Sequence, residues 1–194
     1  MEHPAHPPAV AYLPRGGVAV AAEIARSLGA DLDVVVARKV GAPMQPELAL
    51  GAVTADGARF LNPALARELG VSFWTFRVLA DEQRAEARRC EERFRGQRPA
   101  RRLAGRTVIL VDDGLATGAT MLAAIRSLRR GDPAHLMVAV PVAPQPTCEA
   151  LRNRVDELIC LLTPDPFFAV GVYYVDFRPI ADEEVKRLLA ERAR

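Results

Sequence analysis

The sequence predicts an α/β fold in which a parallel sheet is flanked by helices. Three observations predict it. Short apolar runs rich in Val, Ile and Leu recur along the chain, as strands buried on both faces require. Most lead through a turn into apolar residues at helical spacing, which gives the alternating β/α series of such folds. In two of these passages, Val10 to Leu28 and Val108 to Leu128, glycines and charged residues stand where strand gives way to helix. That is where open parallel sheets bind ligands.

The chain has 194 residues, 50% hydrophobic and 26% charged, which is room for one domain with its own core. Residues 1–194 are therefore read as a single domain, its core over about 10–162 and a tail over 163–194. The Pro-rich start, Met1 to Pro8, reads as a disordered leader. Val10 to Leu13 is a strand that runs into Pro14-Arg15-Gly16-Gly17. A helix follows through Val18, Ala21, Ala25 and Leu28, with Gly29 as its C-cap. The paired glycines admit an unusual backbone that aims N–H groups outward, and Arg15 adds a fork of donors, a composition suited to a polyanion.

Asp33 to Ala37 reads as the next strand, ending at Arg38 and Lys39. Gly41 to Glu47 is rich in Gly and Pro and reads as a mobile loop. Thr54-Ala-Asp-Gly57 between two apolar runs signals a hairpin. Helical patterns cover Pro63 to Leu69 and then Ser72 to Phe94. Phe73, Phe76, Ala80, Ala87, Cys90 and Phe94 make one stripe of the longer helix. The arginines from Arg84 to Arg106 interleave with Glu86, Glu91 and Glu92. They read as a solvated helix and linker, not an RNA surface.

Val108 to Val111 is a buried strand that stops at Asp112 and Asp113. Gly114 to Thr120 is a loop of small and hydroxyl residues, and a helix starts at about Ala119. A tight loop opening a helix presents unpaired N–H groups and the positive end of the helix dipole, which suits a dianionic phosphate. Gly114 and Gly118 are expected at positive φ, with hydroxyl donors from Thr117 and Thr120. The carboxylates are suited to a vicinal diol, or to a hydrated Mg²⁺ held through its waters. A phosphate beside a diol describes a ribose 5-phosphate.

Further strands are expected over His135 to Val142 and Leu158 to Leu162. Gly131 closes the helix before them, and a short helix from about Thr147 to Arg152 lies between. His135 has no acid–base partner in sequence and reads as structural. The tail carries Phe167, Phe168, Tyr174 and Phe177, a last β-like segment, and a terminal helix that Asp182 could cap.

Val111-Asp112-Asp113-Gly114-Leu115-Ala116-Thr117-Gly118-Ala119-Thr120 resembles the phosphoribosyl-diphosphate (PRPP) motif of type I phosphoribosyltransferases. Leu-Pro-Arg15-Gly16-Gly17, the Arg-Lys-Val-Gly-Ala-Pro stretch and Ala-Val-Gly-x-Tyr-Tyr-x-Asp-Phe extend the likeness. Together they are similar to a bacterial branch of the family whose acceptor is unassigned. Members of that branch usually begin with a further helix, which the Pro-rich leader replaces here. The resemblance implies a Rossmann-like sheet with a flexible hairpin or loop that closes over substrate, and a small C-terminal hood. The four tail aromatics are acceptor contacts in that reading and core residues in the other.

The resemblance also implies the reaction: ribose 5-phosphate passes from PRPP to a nitrogenous acceptor, and pyrophosphate leaves. Asp112, Asp113 and Lys39 are the implied catalytic residues. Gly114, Ala116, Thr117, Gly118, Ala119 and Thr120 are implied for the 5-phosphate, and Arg15, Gly16, Gly17 and Lys39 for pyrophosphate. The cofactor is Mg²⁺, carried by PRPP and water near the two acids with no direct protein ligand. Ala116 stands where 6-oxopurine enzymes have an Asp, and Leu-Ala-Thr-Gly looks more like the adenine, uracil or amidophosphoribosyl variants, which makes hypoxanthine and guanine poorer candidates. The implied partners are PRPP and a small-molecule acceptor, with self-association as a homodimer.

Two other classes share parts of this pattern: a regulator that binds PRPP or a nucleotide without turnover, and a phosphoaspartate receiver. The receiver would need its acid pair on the first strand. A net charge of +2 and a pI near 8.6 do not call for nucleic acid, and no apolar segment approaches a membrane span. Cys90, Cys148 and Cys160 lack C-x-x-C spacing, which argues against zinc and for a reducing, cytoplasmic setting.

Overall fold

The computed structural model describes residues 7–100 and 102–191. Its first elements are β1 (Ala9–Tyr12), α1 (Gly17–Leu28), β2 (Asp31–Val34), β3 (Ala37–Ala42), β4 (Gln45–Thr54) and β5 (Arg59–Leu61). Then come α2 (Pro63–Glu68), α3 (Phe73–Arg95), β6 (Thr107–Val111), α4 (Ala119–Arg129) and β7 (His135–Val142). The chain continues with α5 (Gln145–Arg152), β8 (Glu157–Leu162), a 3-10 turn over Val170–Tyr173 and α6 (Asp182–Glu191). No helix among the described residues is long and apolar enough to cross a membrane.

Five strands form one parallel sheet in the order β2-β1-β6-β7-β8. The winding runs one way from β1 to β2 and the other way from β6 through β7 to β8. Right-handed crossovers therefore put α1 on one face and α4 and α5 on the opposite one. The period of two along β1 feeds both layers. Val10 and Tyr12 pack with Val18, Ala21 and Val34, whereas Ala11 and Leu13 pack with Met121, Ile125 and Leu151.

A second, antiparallel sheet, β3-β4-β5, is inserted between β2 and β6. Val40 and Val53 pack on Phe76 and Ala80 of α3, and Ala52 packs on Ala119 and Ala123 of α4. This corrects two expectations. The valine run after Asp33 is not one strand: Val35 N–H still donates to Tyr12 O at 3.0 Å, but Val36 O accepts from Ala55 N–H at 3.2 Å. The chain has changed sheets there, so Arg38 and Lys39 lie within β3 and not at the end of a parallel strand. The segment Gly41 to Glu47 is mostly strand, with its turn at Pro43 and Met44. A Cβ on Gly41 would lie 2.2 Å from Pro46 O, so its glycine serves a tight strand crossing.

Other departures are local. Phe73 is 58% exposed and leaves the α3 stripe, while Phe76, Ala80, Ala87 and Phe94 are buried. Gly131 lies in the closing turn of α4, but the positive φ, 52°, belongs to Asp132. The segment expected as a last strand is the 3-10 turn, because aromatic packing folds it back: the Tyr174 and Phe177 rings are 5.1 Å apart and Phe177 lies over Gly171. Several arginines read as solvated are ties. Arg95 donates to Val34 O at 2.7 Å, Arg98 to Leu189 O at 3.1 Å and Arg106 to Pro7 O at 2.7 Å. Pro7 is thus anchored, while Met1 to His6 of the leader lie outside the described residues.

Candidate active site

β1 and β6 are neighbours whose following helices lie on opposite faces, so a crevice opens beyond their carboxyl ends. Leu13 N–H donates to Val111 O at 3.0 Å, the last tie between the two strands. Beyond it one chain enters Pro14 to Gly16, with a cis peptide between Pro14 and Arg15, and the other enters Asp112 to Gly118.

The two turns are packed against each other. A Cβ on Gly16 would stand 1.7 Å from Asp113 Oδ2, and one on Gly17 would stand 3.0 Å from Val111 O and 3.1 Å from Asp112 Cα. The Arg-Gly-Gly turn is therefore fitted to the acid pair. This differs from the expected reason for its glycines, since Gly16 has an ordinary right-handed conformation with φ −57°. What matters is the missing side chain.

Asp112 and Asp113 are both half-buried, and Asp113 N–H donates to Asp112 Oδ1 at 3.0 Å. Burial pushes the Asp112 carboxyl well above the usual carboxylate range, and the neighbouring Asp113 charge adds to the effect. Burial also raises Asp113, against the pull of its hydrogen bonds. Such a pair gains by meeting hydroxyl donors or a cation.

The loop after the acids is held from three sides. Leu115 N–H donates to Val142 O at 2.9 Å, and the Thr147 hydroxyl donates to Ala116 O at 2.7 Å. Gly118 has φ 70° and lies against Thr147, where a Cβ would meet Cγ2 at 3.0 Å. Gly114 does not have the positive φ expected of it. A Cβ there would lie 2.6 Å from Val170 Cγ1, so this glycine makes room for the tail. Among the described residues, no carbonyl accepts from the N–H groups of Ala116, Thr117, Gly118 or Ala119. Thr117 is exposed and Thr120 half-buried beside them. These amides, two hydroxyls and the start of α4 form a cradle for a dianion.

The structure thus brings together Arg15 to Gly17 and Asp112 to Thr120. Lys39 is an exposed residue of β3 paired with Ala52. It shares the face of that sheet that packs on α4, but it does not line the cavity beside the acids.

That cavity, about 480 Å³, runs between the Arg15–Gly16 turn, Asp113 and the tail, with Tyr174, Phe177 and Arg178 on its far wall. Tyr174 donates its hydroxyl to Asp113 O at 2.5 Å, and burial pushes that hydroxyl up to about 12, the two aspartates adding to the rise. None of the four tail aromatics belongs to the core: Phe168 is 75% and Phe177 46% exposed, and Phe167 stacks on Tyr173. Sequence reasoning missed Thr147 and Arg178. Neither carries a sequence signal, since Thr147 reaches the loop only because α5 follows the neighbouring strand. Among the described residues no group of three or more His, Cys, Asp or Glu could hold a metal ion.

A family model described as the phosphoribosyl transferase domain matches residues 1–177. A Mycobacterium tuberculosis protein named "Putative phosphoribosyl transferase" is 44% identical over 177 residues, which is 91% of this chain. The match is 40% of that protein, so the chain spans about two fifths of the length of the curated relatives it matches. The crystal structure of TT1426 from Thermus thermophilus is 46% identical with a TM-score of 0.80. That similarity covers 96% of this chain and 88% of the other.

Proposed function

We propose that this chain, which belongs to the phosphoribosyl transferase family, moves ribose 5-phosphate from PRPP to a nitrogen nucleophile and releases pyrophosphate. The observation that carries the reading is the seating of Asp112 and Asp113 on Gly16 and Gly17, beside the amides of residues 116–119, which have no carbonyl partner among the described residues. An anion cradle, a pair of hydroxyl acceptors and a second glycine turn sharing one crevice are what support it.

In this reading Gly114 and Ala116 to Thr120 hold the 5-phosphate, and Asp112 and Asp113 accept from the ribose hydroxyls. Arg15, Gly16 and Gly17 receive the pyrophosphate, and Lys39, which lies on β3 outside the cavity, is left without a part in this reading. The C1–O bond breaks with its electron pair on pyrophosphate, the acceptor nitrogen bonds C1, and the acceptor's proton is lost. The chain's part is to hold the reactants in line and to meet the charge that develops as they separate. The oxygen-only acid pair, its ionisation opposed by burial, fits Mg²⁺ held through water and PRPP oxygens. When bound, Mg²⁺ neutralises charge on the leaving pyrophosphate.

The acceptor occupies the 480 Å³ cavity, between the start of α1 and Tyr174, Phe177 and Arg178. Ala116, with no carboxylate to offer, favours an acceptor other than a 6-oxopurine. The setting is a reducing cytoplasm, consistent with three free thiols.

Calorimetry of PRPP with Mg²⁺ tests the reading. Saturable binding by the wild type that Asp112→Asn/Asp113→Asn loses is the expected result, and no binding by the folded wild type overturns it. An acceptor screen then separates transferase from regulator, since binding without turnover of any acceptor selects the regulator.

A further inference from the structure

We propose that Asp182, at the start of α6, is a positioning residue for the pyrophosphate turn: it holds the Arg15 guanidinium to one side of the crevice and yields it to an incoming anion. The inference rests on the reading above, in which Arg15 meets pyrophosphate.

Helix α6 is fixed to the α1 side of the sheet through Val185 and Leu189, both buried in that core. This sets Asp182 beside the turn after β1. Asp182 Oδ1 lies 3.6 Å from Arg15 Nη1, and its Oδ2 lies 2.7 Å from Arg93 Nη1 on α3. One carboxylate, with a side chain only 20% exposed, is thus shared by two guanidinium groups.

Arg15 borders two spaces. On one side is the 480 Å³ cavity with Gly16 and Asp113; on the other is a cavity of about 240 Å³ lined by Arg38, Arg89, Arg93, Glu86 and Asp182. Asp182 draws Arg15 towards the second. Without that hold, Arg15 is free to turn into the main cavity, which it shares with Asp113, and a guanidinium lying on that carboxylate would cover an acceptor meant for the ribose. Asp182 keeps the acid pair open.

The hold is weak enough to be broken. Arg93 takes the nearer contact, the Arg15 side chain is 56% exposed, and the side cavity already carries Arg38, Arg89 and Arg93 against Glu86 and Asp182. Lys186 on α6 adds another positive charge near Asp182, while Glu184 borders the main cavity. Exposed ion pairs of this kind contribute little, whereas a polyanion offers Arg15 a fork of charged acceptors. An anion in the crevice therefore outcompetes Asp182.

The test is a double-mutant cycle read by calorimetry with Mg²⁺-pyrophosphate and Mg²⁺-PRPP, taken to millimolar ligand. Asp182→Asn should tighten binding about two- to five-fold in the wild-type background, the range set by a single exposed pair. In an Arg15→Gln background the same change should have no effect, because Asp182 acts through Arg15. Equal tightening in both backgrounds would mean that Asp182 acts by its field alone, and unchanged or weaker binding by folded Asp182→Asn would mean that it holds nothing back. Either overturns the proposal while leaving the transferase reading intact. A wild type that binds neither ligand overturns both. Should Asp182→Asn not fold, Arg93→Gln serves: Asp182 then holds Arg15 alone, so binding weakens with Arg15 present and not with Gln in its place.

Discussion

The Tyr174 hydroxyl donates to the Asp113 carbonyl at 2.5 Å, so the C-terminal tail is bonded to the same turn that carries the acid pair. This joins the wall of the acceptor cavity to the ribose end of the crevice. A hydrogen bond of this kind contributes about 0.5–1.5 kcal/mol. Tyr174→Phe should therefore weaken PRPP binding or raise the acceptor KM roughly two- to ten-fold, with the fold retained. Burial and the two aspartates push the hydroxyl up to about 12, so it stays protonated and the effect should be flat from pH 6 to about 9. Titrations across that interval check both points.

Gly16→Ala is the sharpest steric test. The added methyl would lie 1.7 Å from Asp113 Oδ2, so either the carboxylate or the turn must move. Overpacking typically costs about 1–3 kcal/mol, and here the displaced group is a ligand-binding carboxylate. Mg²⁺-PRPP binding should be abolished, while thermal melting shows a folded protein of lower Tm. Retention of wild-type affinity would mean that Asp113 does not serve the ribose.

Thr147 acts on the phosphate loop from α5, its hydroxyl donating to Ala116 O at 2.7 Å. Thr147→Val keeps the shape and removes the donor. PRPP should bind roughly two- to ten-fold more weakly, while an acceptor that binds without PRPP is unaffected. Thr147→Ser, which keeps the hydroxyl, should restore most of the affinity in the same titration.

What the sequence disclosed follows from range. Val108 to Met121 was legible because strand, acids, glycine loop and helix are written consecutively, each with its own local pattern. Arg15 to Gly17 could be recognised as a turn, but the cause of its glycines lies about a hundred positions away in Asp113 and has no local signal. The same holds for Gly114, which yields to Val170, and for Thr147. The position of Lys39 is hidden from the sequence because three successive valines read as one strand, whereas the chain changes sheets between Val35 and Val36. Tyr174 is visible in the sequence as one of the tail aromatics, yet only the fold turns its hydroxyl onto the Asp113 carbonyl.

The acid pair itself should make the protein less stable at neutral pH than it need be. A carboxyl whose pKa in the folded state lies above its unfolded value of about 3.9 costs nothing below that value. The cost grows as pH rises from there through the folded pKa, and it is present in full above it. Asp112 is raised by burial and by Asp113, so its ionisation opposes folding at pH 7. Asp112→Asn has the same size, and its amide oxygen still accepts from Asp113 N–H. The variant should melt above the wild type at pH 7, by about 2–4 °C for each kcal/mol relieved. The two should converge as pH falls towards about 4. Mg²⁺-PRPP reverses the order, because bound cation and hydroxyls favour the ionised pair and only the wild type gains from them. Its binding should strengthen as pH rises through the titration of Asp112. Calorimetric melts of both proteins at pH 4.5, 7 and 8.5, with and without the ligand, measure every part of this. A variant less stable than the wild type at pH 7 without ligand would show that the carboxylates are already satisfied by the fold, and that they are not held in reserve for a substrate.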